Sequence, residues 1–334
     1  MNERTATMRA AVVETVDGVF NTSEIARPEP RAGEALVRIH ASGVNPLDTK
    51  IRAGKAAHAR HPFPAILGID LAGVVTAVGA GVTTVAPGDQ VFGMTGGVGG
   101  VQGSLAQYAS VDARLIARKP ENLTMREAAA LPLAVITAWE GLVDRGRVTK
   151  GQRVLVQGGA GGVGHVAVQL AQAHGATVFA TGRTDDLETI RRLGATPIDY
   201  SSSTVEDYVG RYTGGQGFDL VFDTVGGPSL DASFQAIRRF GHVVSALGWG
   251  THALAPLSFK GGTYSGVFTL LPLLTGVGRE HHGEILRAAS QLVEQGRLTP
   301  ILDGRRFDLS GAGEAHALVS EGRAKGKVVI EMEP

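Results

Sequence analysis

The chain has 334 residues, of which 43% are hydrophobic and 19% charged, and its 32 lysines and arginines balance 32 aspartates and glutamates. This length favours two domains, and the balanced charge gives no global field that would recruit nucleic acid or an anionic membrane. Cysteine is absent, which excludes disulfides, thiol nucleophiles and thiolate metal sites and favours a reducing compartment. The segment beginning at Met1–Thr5 lacks the apolar core and cleavage site expected of a signal peptide. The apolar stretch 267–277 is too short to cross a bilayer. We therefore expect a soluble, cytoplasmic protein.

The chain up to about Met125 has the pattern of short strands separated by turns. Residues 33–41 alternate apolar and polar positions, as a half-buried strand does. Further strands are predicted at 9–14, 71–79 and 90–94, with glycine and proline turns between them. Many short strands with such turns indicate a barrel-like β unit. The glycine-rich stretch 95–103 is predicted to be a loop.

From Met125 the pattern changes to helices that alternate with strands. A helix is predicted over 125–142, with Thr124 as N-cap and Glu127 at capping-box spacing. Strands are then predicted at 177–181, 197–200, 218–223 and 241–247, and helices at 185–193, 205–212 and 229–239. This alternation predicts a doubly wound parallel sheet. A helix over 284–296 and a strand over 324–331 follow, and this strand is predicted to return to the first domain.

A glycine loop lies between an apolar run at Val154 and an amphipathic stretch at 166–173. Gly159, Gly161 and Gly164 have the G-x-G-x-x-G spacing of a dinucleotide-binding turn. Glycine serves there for the tight turn, for close approach to a pyrophosphate and for helix packing, and the phosphates lie at the helix N-terminus. The alternative is a purely structural glycine loop. The predicted cofactor contacts of this loop are Gly159, Ala160, Gly161, Gly162, Val163 and Gly164.

The end of the next predicted strand indicates which dinucleotide binds. NAD-preferring domains place a carboxylate there for the ribose 2′-hydroxyl. This chain has Thr181, Gly182 and Arg183 instead, and an arginine can pair with a 2′-phosphate. Asp185 and Asp186 come later, where they suit the N-terminus of the next helix with Thr184 as its cap. We therefore predict NADP(H) over NAD(H).

The motifs and their order resemble the medium-chain dehydrogenase/reductase superfamily. The residues that carry the resemblance are the segment from Asn45 to Gly54, the segment from Leu67 to Gly73 and the glycine loop. The nearest likeness is to the zinc-independent quinone oxidoreductase branch. It implies an α/β fold with a GroES-like β-barrel catalytic domain and a doubly wound Rossmann domain, an active site in the cleft between them, and a homodimer. The implied bounds are 1–128 for the catalytic domain, 129–275 for the NADP-binding domain and 276–334 for the returning segment.

Departures from the zinc-dependent members of that superfamily indicate the chemistry. Those enzymes have a zinc-binding cysteine at the position of Asn45, a Gly-His-Glu where this chain has Gly68, Ile69 and Asp70, and a hydroxyl residue at the position of Leu47. Zinc prefers thiolate, imidazole or carboxylate ligands, so no metal site is predicted. Without a metal to polarise an alcohol, reduction of a quinone or an α,β-unsaturated carbonyl is favoured.

The resemblance also assigns site residues. Asn45 is expected beside the nicotinamide or the substrate oxygen, where it orients without exchanging a proton, although a structural turn before Pro46 is an alternative. Asp48 is a catalytic candidate whose alternative role is to brace the same loop. Tyr200 is expected against the adenosine phosphate. The other implied cofactor contacts are Thr137, Asp223, Val225, Leu247, Gly248, Val267 and Phe268, and residues 265–268 are also expected at a sheet-edge dimer contact.

These observations are consistent with three functions. The first is hydride transfer from NADPH to a small-molecule quinone or enone, with the proton taken from water. The second is an enoyl-thioester reductase, although that branch has a tyrosine in the loop that here contains Asn45 and Leu47. The third is a non-catalytic NADPH-sensing or RNA-binding relative, against which the balanced charge and the lack of a basic, aromatic stripe weigh.

Overall fold

A computed structural model describes residues 6–332 of the chain. The chain divides into two compact units. The first unit runs up to Leu133 and also includes Leu270–Gln295 and the segment from Pro300 onward, and the second comprises Ala134–Thr269 and Gly296–Thr299. Met1–Thr5, where we see no signal peptide, lies outside the described residues.

In chain order, the strands are β1 (Thr7–Val13), β2 (Phe20–Ala26), β3 (Glu34–Val44), β4 (Ala65–Ile66), β5 (Asp70–Val78), β6 (Gln90–Met94), β7 (Tyr108–Asp112), β8 (Ile116–Arg118), β9 (Arg153–Gln157), β10 (Thr177–Gly182), β11 (Thr196–Asp199), β12 (Phe218–Asp223), β13 (Ile237–Ser245), β14 (Thr263–Gly266), β15 (Phe307–Asp308) and β16 (Val328–Glu331). The α-helices are α1 (Pro46–Arg52), α2 (Met125–Ala129), α3 (Pro132–Trp139), α4 (Gly164–Ala173), α5 (Leu187–Arg192), α6 (Val205–Thr213), α7 (Pro228–Ala236), α8 (Ala255–Ser258), α9 (Leu271–Thr275), α10 (Arg279–Glu294) and α11 (Ala312–Ser320).

The first unit is organised around the long strand β3. This strand pairs antiparallel with β5, β7 and β16 in a mixed sheet that also contains β6, β8 and β15. A smaller sheet has the order β2-β1-β4, and Met8 and Ala10 of β1 pack with Ala106 in a small core. The unit is the predicted GroES-like β domain. The predicted return of the last strand is confirmed, because β16 lies beside β3.

The second unit contains one parallel sheet with the strand order β11-β10-β9-β12-β13-β14. Because the chain leaves β9 toward one edge through β10 and toward the other through β12, the strand order reverses between β9 and β12. Ligands of open α/β sheets bind outside the carboxyl ends of the strands at such a reversal. The prediction of a doubly wound parallel sheet is therefore confirmed, and the glycine loop follows the strand at the reversal.

Several predicted boundaries were wrong for local reasons. The helix predicted over 125–142 is divided, because Pro132 has no N–H to continue α2 and instead begins α3, which runs on into π-helical residues Glu140–Arg145. The helix predicted over 229–239 ends at Ala236, since Ile237 is extended and begins β13. The ammonium of Lys260 stabilises this end by donating to the Ile237 carbonyl at 2.7 Å. The short strands β2, β4, β7, β8, β14 and β15 were not predicted.

Candidate functional site

The sheet register of the first unit brings three distant polar residues to one place. Val44 at the end of β3 pairs with Val328 at the start of β16, and Gly43 pairs with Asp70 at the start of β5. Asn45 follows Val44 and Lys327 precedes Val328, so both lie at the sheet end that Asp70 occupies. All three residues are buried. We refer to Asn45, Asp48, Asp70 and Lys327 as the buried polar cluster.

The side-chain amide of Asn45 connects a cation to an anion. Its Nδ2 donates to Oδ2 of Asp70 at 2.9 Å, and its Oδ1 accepts from the ammonium Nζ of Lys327. An ammonium only donates and an ionised carboxylate only accepts, so these two partners fix the orientation of the amide. The other carboxylate oxygen of Asp70 accepts the backbone N–H of Leu133 at 2.9 Å, near the start of α3.

Asp48 lies three residues beyond Asn45, in the first turn of α1. Its Oδ2 accepts the backbone N–H of Asn45 at 2.8 Å, which stabilises the start of the helix. Within residues 6–332, its other oxygen, Oδ1, is buried without a hydrogen-bond partner. Burial, together with the nearby Asp70 charge, raises the pKa of the Asp48 carboxyl to about 7 against the opposing influence of Asn45 and Lys327. The structure therefore supports the bracing role of Asp48 and gives it a carboxyl that holds a proton near neutral pH.

The remaining charges of the buried polar cluster oppose each other. Burial raises the pKa of Asp70 to about 6, while Lys327, Asn45 and the Leu133 N–H hold it down. Burial lowers the pKa of the Lys327 ammonium, and the two carboxyls raise it again. The net charge of one ammonium and two carboxyls is zero when one of the carboxyls keeps its proton. Asp48, which has an oxygen outside the hydrogen-bond network, is the carboxyl suited to keep it.

The buried polar cluster does not have the donors that a zinc ion needs. Asn45 stands at the position of a zinc-binding cysteine in zinc-dependent members of the resembled superfamily, and Gly68, Ile69 and Asp70 stand in place of their Gly-His-Glu. Here both oxygens of Asp70 accept N–H groups, and Oδ1 of Asn45 accepts from an ammonium that would repel a metal cation. Within residues 6–332 no group of three or more His, Cys, Asp or Glu side chains has metal-site geometry. These residues do not fit zinc.

The glycine loop of the second unit is closed on the protein side and open outward. A Cβ on Gly164 would lie 1.9 Å from the carbonyl oxygen of Gly158, and one on Gly159 would lie 2.4 Å from Cβ of Ala180. A Cβ on the exposed Gly161 would meet only the Gly158 oxygen, at 3.1 Å. Glycine at 159 and 164 is therefore required by packing, whereas at 161 the fold leaves room that a pyrophosphate can use. This cradle fits the predicted dinucleotide.

The loop is braced from below by two polar side chains. Thr181, at the end of β10, donates through Oγ1 to Oε1 of Gln157 at 2.7 Å, and the same Oγ1 accepts the backbone N–H of Gly158 at 3.0 Å. The predicted contact Thr181 is buried. Thr181 therefore stabilises the glycine loop through its hydrogen bonds to Gly158 and Gln157. Gln157 was not predicted, because in the sequence it is only the last residue of an apolar strand.

Arg183 lies on the surface beyond the end of β10, as predicted. Its Nε donates to the hydroxyl of Tyr200 at 3.2 Å, so the two residues predicted at the adenosine end are neighbours. Asp186 accepts the backbone N–H of Arg183 at 3.0 Å, which places a carboxylate at the helix N-terminus. The prediction that Thr184 caps the next helix was wrong, because the Thr184 hydroxyl donates to Asp199 at 2.8 Å.

The carboxyl ends of β12 and β13 form a second braced turn. Asp223 is buried and accepts the backbone N–H groups of Val225 and Gly226, at 3.2 and 3.1 Å, and the hydroxyl of Ser245 at 2.7 Å. Ser245 in turn accepts the Leu247 N–H at 3.1 Å. Asp223 therefore shapes the turn through its hydrogen bonds and exposes Val225 at its tip.

The last predicted contacts of this unit lie around the outer strand β14. A Cβ on Gly248 would lie 2.1 Å from the hydroxyl of Tyr264, so glycine is required there. Val267 continues beyond β14 and donates its N–H to the Ser245 carbonyl at 2.9 Å. Thr137 on α3 and Thr269 share a hydroxyl hydrogen bond of 3.1 Å. Phe268 stacks edge-on against Trp249, with ring centroids 6.1 Å apart.

Lys327 is the main site residue that was not predicted from the sequence. It lies inside the strand predicted over 324–331, and a lysine next to an apolar strand has the pattern of a solvated end. The one signal that points to burial is its position directly before the apolar run Val328–Ile330, which is itself fully buried. Ser42 and Ser104, which share a 2.6 Å hydrogen bond behind Asp70, were not predicted either.

Comparison with known proteins gives a consistent result. Residues 31–121 match the alcohol dehydrogenase GroES-like domain, and residues 193–330 match the zinc-binding dehydrogenase family. The chain is 35% identical to an NADPH-dependent alkenal/one oxidoreductase of Arabidopsis thaliana, over 94% of this chain and 76% of that protein. It is 30% identical to a quinone oxidoreductase of Pongo abelii, over 92% of both. A solved alcohol dehydrogenase superfamily protein from Novosphingobium aromaticivorans is 61% identical, with a TM-score of 0.96 over 98% of this chain and 100% of that one.

Proposed function

Since this chain belongs to the zinc-independent quinone oxidoreductase-like branch of the medium-chain dehydrogenase/reductase superfamily, we propose that it transfers hydride from NADPH to a quinone or an α,β-unsaturated carbonyl. The observation that carries this proposal is the buried polar cluster, in which an amide stands at the position of a zinc-binding cysteine and its oxygen accepts from an ammonium. A substrate that accepts hydride without a Lewis acid suits such a site. The named activities of the two relatives are of this kind.

The second unit supplies the residues that would hold NADPH. The backbone of Gly161 and Gly162 and the start of α4 suit the pyrophosphate, and the exposed guanidinium of Arg183 suits a 2′-phosphate. When bound, NADPH supplies a hydride from its nicotinamide ring. Val225, at the exposed turn that Asp223 braces, lies on the carboxyl side of the sheet, where an open α/β fold binds its ligand.

The first unit supplies the polar groups for the substrate. In the proposal Asn45 orients the substrate oxygen and donates to it as negative charge develops, which is the role of a preorganised donor. Its amide has one N–H left after the bond to Asp70. Asp48 stabilises the turn that carries Asn45 by accepting its backbone N–H. Its raised pKa keeps the carboxyl partly protonated near neutral pH. Water remains the source of the proton that completes the reduction.

An NADPH-oxidation assay over simple quinones, enals and a short enoyl thioester tests the proposal. We expect turnover with a quinone or an enal. The enoyl-thioester alternative is favoured by a structural likeness to CurK enoyl reductase, at 26% identity and a TM-score of 0.84, and turnover restricted to the thioester would support it. NADPH consumption at background with every substrate would contradict both and favour a binding protein.

The proposed preference for NADPH gives a separate prediction at Arg183. Arg183→Ala removes charge-assisted hydrogen bonds to the 2′-phosphate, so we expect KM for NADPH to rise about 10- to 100-fold while KM for NADH stays the same. Arg192→Ala is the matched control, because this exposed arginine lies on α5 and donates to Thr189. Steady-state kinetics with both cofactors measures the effect. An equal change for NADH, or a wild-type preference for NADH, would overturn the assignment.

We also propose that the protein is a homodimer joined through β14. This strand is the outer strand of its sheet within residues 6–332, and two highly exposed aromatic rings, Phe240 and Phe259, lie in the segments near it. An edge strand with free backbone groups is a ready surface for pairing with a second copy. Light scattering is expected to give twice the mass of one chain, and Phe259→Glu is expected to shift the population toward monomer. A monomeric wild-type protein would refute the proposal.

A further inference from the structure

We propose that Lys327 is a positioning residue for the reaction: its ammonium, bound to Oδ1 of Asn45, fixes and polarises the Asn45 amide so that the remaining Nδ2–H is a stronger donor toward the substrate oxygen. This role rests on the proposed function and deepens it. It belongs to a residue 282 positions away from Asn45 in the sequence.

The first effect of the ammonium is on the orientation of the amide. A free asparagine can present either its oxygen or its nitrogen to a given partner. In the buried polar cluster, Lys327 can only donate to Asn45 and an ionised Asp70 can only accept from it. A reversed amide would face the ammonium with N–H groups and the carboxylate with an oxygen. The pair therefore leaves a single orientation of the amide, in which Nδ2 carries a second N–H besides the one donated to Asp70.

The second effect of the ammonium is on the strength of the remaining donor. A cation on the amide oxygen draws electron density from the nitrogen, and hydrogen bonds in a chain polarise one another. Lys327, Asn45 and Asp70 form such a chain, and all three are buried, so water does not screen the effect.

Positioning by Lys327 can be separated from simple charge balance. If Lys327 only neutralised Asp70 and Asp48, removing one positive and one negative charge together would restore the site. If it positions Asn45, the balanced double variant Lys327→Met/Asp70→Asn folds and is slower than Asp70→Asn alone, which keeps the ammonium on Asn45. Lys327→Arg keeps a cationic donor and is expected to recover part of the rate. Lys325→Met is the control, since Lys325 is exposed two residues earlier on the same segment.

Steady-state kinetics with NADPH and the best quinone or enal is the first test. We expect Lys327→Met to lower kcat about 10- to 100-fold with KM for NADPH within about twofold, as for loss of a preorganised donor. Asn45→Ala should show a similar loss, and the Lys327→Met/Asn45→Ala double variant no more than either single change, because the two residues act as one unit. Additive losses, or a wild-type kcat in Lys327→Met/Asp70→Asn, would overturn the inference.

A spectroscopic test needs no turnover and so separates this inference from the proposed function. In protein labelled with ¹⁵N at asparagine, the Asn45 side-chain amide resonance is expected to move in Lys327→Met and to stay in place in Lys325→Met. An Asn45 amide resonance that is the same in Lys327→Met and the wild type would overturn the inference. If the wild-type protein oxidises no NADPH but the Asn45 resonance still moves in Lys327→Met, the proposed function is refuted. The contact between Lys327 and Asn45 then still stands.

Discussion

Gly164→Ala is expected to destabilise the protein by about 3 kcal/mol or more, because the added Cβ would lie 1.9 Å from the carbonyl oxygen of Gly158. The carbon of the same carbonyl would lie at 2.8 Å, and Cα of Gly159 at 3.0 Å. All three atoms are backbone, so no side chain can move to relieve the clash. The free energy of unfolding, measured by urea titration, checks the prediction.

Gly161→Ala is the matched control and has the opposite profile. Its Cβ would meet one atom at 3.1 Å and points outward, so we expect the free energy of unfolding to stay within about 1 kcal/mol of wild type. The same methyl group would occupy the space proposed for the pyrophosphate. The dissociation constant for NADPH, measured by calorimetry, is therefore expected to rise about tenfold or more. Unchanged NADPH binding in Gly161→Ala would show that the phosphates lie elsewhere.

Asp70→Ala is expected to cost about 3–5 kcal/mol, because it breaks a buried charge pair by removing one member. The variant removes the carboxylate that accepts the N–H of Leu133 and one amide N–H of Asn45, and it takes a negative charge from the field around Lys327. Each buried donor without a partner costs about 1–3 kcal/mol. Chemical denaturation at pH 7 measures the loss. A loss below about 1 kcal/mol would show that the Asp70 interactions are replaced by water.

Asp48→Asn serves as the control within the same cluster and carries a pH signature. The folded-state pKa of Asp48 is raised from 3.8 to about 7, so the folded protein binds this proton more tightly than the unfolded chain does. The associated stability is full below pH 3.8 and is lost as the pH rises toward 7. Asp48→Asn removes this loss, so its free energy of unfolding relative to wild type is expected to increase between about pH 4 and 7. A difference that does not vary with pH would contradict the raised pKa.

The second unit is predicted from the sequence better than the first for a physical reason. The glycine spacing, the alternation of strands and helices and the strand-end residues Gly182 and Arg183 are all local signals, and each indicates its own position. The parallel order of the sheet follows from them, since crossover connections have one preferred hand. Tyr200 is expected at the adenosine phosphate from the resemblance alone, and its hydroxyl lies 3.2 Å from Nε of Arg183.

The buried polar cluster depends on contacts that no local pattern contains. Lys327 meets Asn45 only because β16 returns beside β3 in one register, and a shift of one residue would turn Lys327 to the other face. The returning strand is predicted from its apolar run, but its lysine has the pattern of a solvated residue. Gln157 was missed for a related reason, because its partner Thr181 lies on the next strand. Polar residues that are buried in pairs have no signature until the pairing is known.

The buried polar cluster also has a consequence for how such a site changes over generations. A metal-binding version would need new ligands at 45 and 69 and the removal of the ammonium at 327. Removing the ammonium alone leaves the buried Asp70 charge without its counterpart, which is costly, and a ligand at 45 alone would keep beside it an ammonium that repels a metal cation. A first step that removes the ammonium is therefore expected to be less stable than the starting chain, and a first step that adds a ligand is not expected to bind metal. Such epistasis makes the metal-free chemistry of this protein a state that single mutations do not readily leave.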